Sequence, residues 1–339
     1  MKDACLGKMA VEAGGLLRPL IVPAHLTGGQ GLMNPSVYMD GDRLLVAIRQ
    51  INYTLYHAEK LKFCNTWGPL AYLNPENDQH LRTSISIAEL DKETLAPISI
   101  LPVIMLPIAP ADAMFIGLED ARLFRWEGKL YLCGVRRDVD SQGTGRMELS
   151  EIEQKEDGYH EVDRKRIPIP GPGESFCEKN WIPILRRPYH FVKWLRPTEV
   201  VKYSPETDTT KTVILDTLHD HYPVQSNLRG GSQVLDHRDW ETHYFAVVHE
   251  TNLHPTPVGH KNATYRHRLL VLDDQLGVVR QSELFSFMGA EIEFCCGAAW
   301  MDGKLLLSFG FQDNAAYILS VPMPVVESML GPMLRGVKA

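Results

Sequence analysis

A two-strand unit built around a short glycine turn recurs along this chain, and repetition of that kind restricts the fold more than any other property of the sequence. Its clearest form is Gly117-Leu118-Glu119-Asp120-Ala121-Arg122-Leu123-Phe124, the turn Glu127-Gly128-Lys129 and the apolar run from Leu130 to Val135. An earlier copy starts at Asn34-Pro35-Ser36, turns at Asp40-Gly41-Asp42 and runs from Leu44 to Ile48 before ending in Arg49. Ala121 then stands where Pro35 stands, Gly128 where Gly41 stands, and Arg136 where Arg49 stands. A third copy, from Cys296 to Gly310, turns at Asp302-Gly303-Lys304. Looser copies begin at Glu178-Lys179-Asn180-Trp181 and Leu228-Arg229-Gly230-Gly231-Ser232-Gln233. Glycine tolerates positive φ, and the flanking runs are rich in the aromatic and branched residues that strands favour, so each unit reads as a hairpin.

A further strand follows most of the hairpins, at 82–87, 146–152, 200–203, 268–272 and 314–319; several of these alternate polar and apolar residues as half-buried strands do. Strand-rich units at an irregular period of roughly 50 to 85 residues, separated by turns, predict radial blades rather than a barrel or sandwich. The expected fold is therefore all-β, a five-bladed β-propeller forming a single domain over 1–339. Residues 1–27 read as an N-terminal extension that wraps the outside or frames the entrance. Residues 323–339 read as a C-terminal tail with helical capacity, where Pro324 and Pro332 bracket the stretch from Val325 to about Leu334.

The composition, with 44% hydrophobic and 23% charged residues, is that of an ordinary globular chain. A net charge of −7 gives no general attraction to nucleic acid or to an anionic membrane, and favours a small or neutral ligand. No apolar run approaches a membrane span and the first residues lack a secretory apolar core, so a cytoplasmic protein is expected. A homo-oligomer is compatible with the sequence. The six cysteines show no Cys-x-x-Cys spacing and read as buried thiols. His219-Asp220-His221 has no third ligand nearby, so no metal is expected there or elsewhere.

In a radial assembly equivalent strand ends meet at one end of the central channel. The converging set is Asn34, Arg49, Glu119, Asp120, Arg122, Arg136, Arg146, Lys179, Asn180, Arg229, His249, Glu250, Glu293 and Asp313. Burying so many ionisable groups merely to close strand ends is costly unless each finds a partner, whereas a polar, anion-capable ligand site accounts for them. Adjacent acids beside an arginine also form structural ion-pair networks, and that reading stands beside the functional one for each residue.

Gly-x-Glu-Asp-x-Arg at Gly117 to Arg122, Arg-x-x-Leu-Ser at Arg146 to Ser150, Lys179, His249 at a strand end, and Phe309-Gly310 with Asp313, in that order, resemble glycoside hydrolase family 130. The resemblance runs from about Asn34 to Val321. Ala121 replaces the usual proline and Asn180 stands where many members carry aspartate, which suggests a divergent branch. The resemblance implies a five-bladed propeller, a family of β-mannoside phosphorylases and hydrolases with mannosyltransferase relatives, and Asp120 as general acid, acting in phosphorylases through a sugar hydroxyl.

Inversion at a glycosidic carbon needs a proton for the leaving group and a nucleophile on the opposite face. Phosphate as nucleophile needs cations rather than a base, and Arg136, Arg146, Lys179 and His249 are the expected clamp. Asn34, Arg49, Glu119, Arg122, Asn180, Arg229, Glu250, Glu293 and Asp313 are expected around the sugar. In a hydrolase, Glu250 or Glu293 would activate water instead. The expected activity is inverting glycosyl transfer to or from phosphate on β-mannosides. The rivals are a β-mannosyltransferase with a sugar nucleotide or sugar phosphate donor, a β-mannoside hydrolase, and a noncatalytic glycan-binding propeller. No cofactor is expected beyond inorganic phosphate or a sugar phosphate as co-substrate, and the partner is a small-molecule or oligosaccharide substrate.

Overall fold

The structure is a computed structural model, and it describes residues 4–28, 30–55, 70–72, 80–108, 113–173, 175–195, 198–215, 228–239, 241–255 and 261–332. His219-Asp220-His221 lies outside the described residues.

The chain folds into a five-bladed β-propeller. Blade 1 is the antiparallel sheet Gly31–Asp40, Arg43–Ile51, Leu81–Leu90 and Pro97–Ile104. Blade 2 is Leu118–Trp126, Lys129–Arg136, Arg146–Lys155 and Gly158–Arg166. Blade 3 is Ile182–Pro183, His190–Leu195, Thr198–Ser204 and Thr209–Leu215. In blade 4 the inner edge is split between Leu228–Gly230 and Leu235–Asp236, followed by Tyr244–Pro255, Lys261–Leu272 and Val278–Gln281. Blade 5 takes Glu293–Met301, Lys304–Phe311 and Ala315–Pro322 from the end of the chain and its outer strand, Leu17–Pro19, from the beginning. The N-terminal segment therefore does more than wrap the fold: it completes the last blade. The C-terminal helix spans Met323–Met329, and its end falls at Leu330, whose backbone is already extended.

The core is a ring of inter-blade seams rather than one centre. In Arg43–Ile51, Leu44, Val46 and Ile48 pack towards blade 5 while Leu45 and Ala47 pack towards blade 2. In blade 5, Leu305, Leu307 and Phe309 face blade 4, and Leu306 faces blade 1. Strands buried on both faces explain runs such as Leu305-Leu306-Leu307, where the alternation of a half-buried strand is missing. Phe124, Trp126 and Tyr131 of blade 2 meet Trp181 and Phe191 of blade 3 in an aromatic seam, with the Trp126 and Phe191 rings edge to face at 5.3 Å.

At the inner edges, strands face one another with backbone groups that no ladder satisfies, and a few buried polar side chains take their place. Gln233 of blade 4 is fully buried; its Nε2 lies 2.6 Å from the Leu123 carbonyl of blade 2 and 3.3 Å from the Val37 carbonyl of blade 1, and its Oε1 accepts the Ala298 N–H of blade 5 at 3.1 Å. Ser36 Oγ accepts the Leu123 N–H at 3.0 Å, and Ser308 Oγ accepts the Val37 N–H at 2.9 Å while donating to the Pro35 carbonyl at 2.6 Å. Arg122 crosses from blade 2 to donate Nε to the Gly231 carbonyl of blade 4 at 3.0 Å.

One expected equivalence fails by a single residue. In the first hairpin Asp40 pairs with Arg43, so Gly41 is the first central turn residue, with φ 62°. In the second, Trp126 pairs with Lys129 and both Glu127 and Gly128 have positive φ, so the glycine comes second. The two turns place their glycine differently, as hairpins with one or two positive-φ residues do. Aligning the glycines slips the second strand by one. Arg49 pairs with Met33, but the equivalent partner of Glu119 is Val135, and Arg136 pairs with Leu118. A one-residue slip reverses the face, so Arg136 points away from the side that Arg49 occupies.

Replacing Gln233 by Leu removes bonds to three blades and leaves buried carbonyl and N–H groups orphaned. A loss of more than about 3 kcal/mol of unfolding free energy is expected, read by denaturant titration; a change below about 1 kcal/mol would show that the ring closes without it.

Candidate functional site

Three of the hairpins carry an irregularity at the same end of the ring. The ladder shifts between Met33 and Ser36 in blade 1, between Glu119 and Arg122 in blade 2, and between Cys295 and Gly297 in blade 5. Adjacent residues of a regular strand point to opposite faces, and a bulge re-aims one of them. Asn34 and Asp120 sit in these bulges with φ of 43° and 51°. As a result Glu119 and Asp120 both face one cavity of about 290 Å³. Asn180, with φ 62°, does the same beside Lys179 where blade 3 begins.

Arg49 organises the carboxylates. Its Nη1 donates to Asp120 Oδ1 at 2.7 Å, its Nη2 lies 3.5 Å from Glu119 Oε2 and donates to Tyr53 Oη at 2.7 Å, and its Nε donates to Thr83 Oγ1 at 3.1 Å. Asn34 Nδ2 adds a second bond to Asp120 Oδ1 at 2.7 Å. Gly310 makes room for this asparagine: a Cβ there would stand 2.0 Å from Asn34 Oδ1.

The two adjacent acids are driven apart. Burial acts to raise the pKa of Asp120, but the Arg49 charge, the Asn34 bond and the Arg122 charge outweigh it and hold the carboxyl below the usual range. Burial dominates for Glu119, and with the neighbouring Asp120 charge it raises that carboxyl despite Arg49, Arg137 and Lys179. Asp120 is thus the ionised member and Glu119 the one that holds a proton more readily. Tyr265, across the cavity, is raised to about 12, first by burial and then by the charges of Asp313 and Asp120.

A second, smaller cavity of about 150 Å³ adjoins the first. Lys179 and Asn180 line both, and Lys193, Trp194 and Arg229 line the smaller one. Lys193 is held by Glu178 at 3.5 Å and Glu199 at 3.8 Å. Lys179 makes no ion pair among the described residues, Arg229 Nε is buried without a hydrogen bond, and so is Asn180 Oδ1.

The structure brings Asn34, Arg49, Glu119, Asp120, Lys179, Asn180 and Asp313 to the larger cavity and Arg229 to the smaller one. The other expected residues lie elsewhere. Arg136, on the reversed face, pairs with Glu148 at 2.9 Å and Asp138 at 3.4 Å and lines a different cavity. Arg146 lines neither site cavity and donates to the carbonyls of Gly145 at 2.8 Å and Ser175 at 2.7 Å, fixing the segment that leads to Lys179. His249 stands behind the wall, its ring 5.2 Å from that of Tyr265 and edge-on to Phe294 at 4.9 Å. Arg122 spans the axis, with its guanidinium 5.5 Å from the Phe294 ring. Glu250 is bound to Arg268 at 2.7 Å, and Glu293 accepts three backbone N–H groups, from Phe287, Met288 and Ala290.

Sequence reasoning missed the apolar and aromatic side of the cavity, including Tyr53, Leu81, Phe115, Tyr265 and Phe294. None of them carries a motif, since apolar and aromatic residues on strands are more often core than site. Among the described residues no group of three or more metal-ligating side chains occurs, and no helix is long and apolar enough to cross a membrane.

No family model and no curated protein matches the chain. Solved structures do match in fold. A mannose phosphorylase from Leishmania mexicana, MPT-4, in complex with phosphate ion, is 13% identical, with 98% of this chain and 97% of that one covered at a TM-score of 0.51. The β-1,2-mannobiose phosphorylase of Listeria innocua, in complex with β-1,2-mannobiose, is 12% identical over 92% and 93% of the two chains at 0.51. A glycosyl hydrolase from Bacteroides ovatus is 10% identical over 86% and 84% at 0.52. At these identities the likeness shows the shared propeller fold.

His249 and His267 are buried, and burial holds both neutral: His249 lies well below the ordinary value, and His267 is lowered to about 3. The unfolded chain binds these protons below about pH 6.5, whereas the folded chain does not. Their contribution to stability is therefore complete above that pH and falls as pH drops, for His267 by about 1.4 kcal/mol per pH unit down to about 3, with His249 acting in the same direction. His267→Gln, which keeps an acceptor for the Cys295 N–H, should flatten the decline in melting temperature between pH 6.5 and 4. An unchanged slope would place the acid sensitivity elsewhere.

Proposed function

We propose that this protein is a carbohydrate-active enzyme that transfers a glycosyl unit, a β-linked mannose, between a sugar oxygen and phosphate. One observation carries the reading: a cavity of about 290 Å³ holding two carboxylates shares Lys179 and Asn180 with a cationic cavity of about 150 Å³. A sugar ring in the first and a phosphate in the second place the anomeric carbon at the shared wall. The divergent resemblance to glycoside hydrolase family 130 and the propeller fold of the phosphorylases above agree with this assignment.

In the phosphorolytic direction, phosphate held by Lys179 and Arg229 attacks the anomeric carbon. The glycosidic C–O bond breaks, a C–O bond to phosphate forms, and Asp120 supplies the leaving oxygen's proton through a sugar hydroxyl. In the synthetic direction ionised Asp120 takes that proton from the acceptor. The depressed pKa of Asp120 favours this second role, since a base is ready for use when it is already charged. Asn34, Arg49 and Asp313 orient the sugar, and Phe115 and Phe294 offer it apolar faces.

Hydrolysis fits less well, because Glu250 and Glu293, the carboxylates expected to activate water, are bound to Arg268 and to backbone N–H groups. The second reading that an observation favours is transfer from a sugar nucleotide: Trp194, 37% exposed on the wall of the cationic cavity, is placed to stack on a base.

With mannose 1-phosphate and mannose, phosphate release is expected, and Asp120→Asn should lower its rate at least about 1,000-fold with the fold intact. Lys179→Met should instead raise KM for the sugar phosphate by about 10-fold or more, a lost charge-assisted contact. Consumption of guanosine diphosphate mannose alone would transfer the assignment to the nucleotide reading. Oligosaccharide binding without turnover of either donor would leave a glycan-binding propeller.

A further inference from the structure

Lys179 and Asn180 form the wall shared by the two cavities, yet neither belongs to a strand: blade 3 begins only at Ile182–Pro183. A lysine is a point charge on a flexible stem, so how well it holds an oxyanion depends on where its backbone is fixed. The backbone ahead of Lys179 is fixed by blade 2. Gly145 forms a parallel bridge with Cys177, in which the Gly145 N–H donates to the Phe176 carbonyl at 2.9 Å and the Glu178 N–H donates to the Gly145 carbonyl at 3.0 Å. Arg146, the first residue of the strand Arg146–Lys155, closes this bridge from outside: its Nη1 donates to the Gly145 carbonyl at 2.8 Å and to the Ser175 carbonyl at 2.7 Å. The two stretches lie so close that a Cβ on Gly145 would stand 2.5 Å from Cys177 Sγ and 3.3 Å from its Cα.

Blades 3 and 4 hold the other side of Lys179. The Glu178 carboxylate accepts the Trp181 indole N–H at 3.1 Å and pairs with Lys193 at 3.5 Å, and the Trp181 ring is buried. Gly230 admits the Asn180 carbonyl so closely that a Cβ there would stand 2.1 Å from it. A bridge of two backbone bonds is the smallest element of a sheet, and a charged donor shared by two carbonyls strengthens it beyond what neutral amides supply. We infer that Arg146 is a positioning residue for phosphate: it touches no ligand and acts through Lys179, by clamping residues 175–178 so that the ammonium group stands at the wall between the two cavities. The residue expected from the sequence as a direct member of the clamp thus serves it at one remove, on carbonyl oxygens instead of the oxyanion. The inference rests on the reading of the smaller cavity as the phosphate site.

Inorganic phosphate titrated calorimetrically into the full chain reads the effect without turnover. Arg146→Gln is expected to weaken phosphate about tenfold, and the double variant with Lys179→Met should bind no more weakly than Lys179→Met alone, since nothing is left to position. Gly145→Ala keeps every charge but displaces the same residues, so it should weaken phosphate about threefold or more, again with no further loss beside Lys179→Met; it also carries the test if Arg146→Gln does not fold. A merely structural Arg146 would lower the melting temperature and leave the phosphate affinity of the folded chain unchanged, which would overturn the inference. Losses that multiply in the double variant would make Arg146 a direct ligand, and a loss in Arg146→Gln with none in Gly145→Ala would trace the effect to charge; either result overturns the positioning role while the phosphate reading stands. A wild type that binds no phosphate would overturn both.

Discussion

The ring depends on hydrogen-bonding groups at its inner edges that have no strand beside them. A blade ends where the central channel begins, and an unpaired edge buried there is expensive. This protein solves the problem with a few side chains of high bonding capacity. Gln233 alone reaches blades 1, 2 and 5, and Ser36 and Ser308 each stand in for a missing strand partner. Arg122 extends the same principle with a charge, tying blade 2 to blade 4 under the floor of the cavity. Such contacts fix the blades to one another in register, which seams of Leu, Ile and Val alone do less sharply.

The candidate site is a by-product of the same geometry. Inner strands that crowd around an axis develop bulges, and the bulges turn Asn34, Glu119 and Asp120 towards one space. Arg49 then holds two carboxylates that would otherwise repel, and the unequal bonding it provides separates their proton affinities. Asp120 has the stronger contact with Arg49 and an additional one from Asn34, so it carries the charge. Pairs of acids split in this way supply one ionised and one protonatable group within a single strand.

Much of this was legible in the residues. Glycine turns between apolar runs located the hairpins, and the recurrence of polar residues at their ends indicated a shared pocket, which holds for Asn34, Arg49, Asp120, Lys179 and Asp313. What the residues concealed was direction. Arg136 looked equivalent to Arg49 because glycine marks the turn, but glycine occupies the first central position in one turn and the second in the other. His249 and Glu293 are polar and close to the right strand ends, yet one backs an aromatic wall and the other is wrapped by backbone N–H groups. The aromatic lining came from strand faces whose orientation only the bulges decide. Gln233, the most connected polar side chain of the inner edge, carries no motif at all, because its partners are backbone atoms of residues distant in sequence.

The pairing of Leu17 with Leu319 has a consequence for how the molecule is made. A blade assembled from segments this far apart in sequence cannot be finished while the ribosome still holds its later strands, and joining such remote segments carries the entropic cost of the whole intervening loop. Blades 1 to 4 can consolidate as they emerge, in the order of synthesis, with the ring left as an open arc. Sealing it is a late step, and until then the outer edge of the fifth sheet stands bare, the state in which a nascent molecule is most liable to pair with the wrong neighbour.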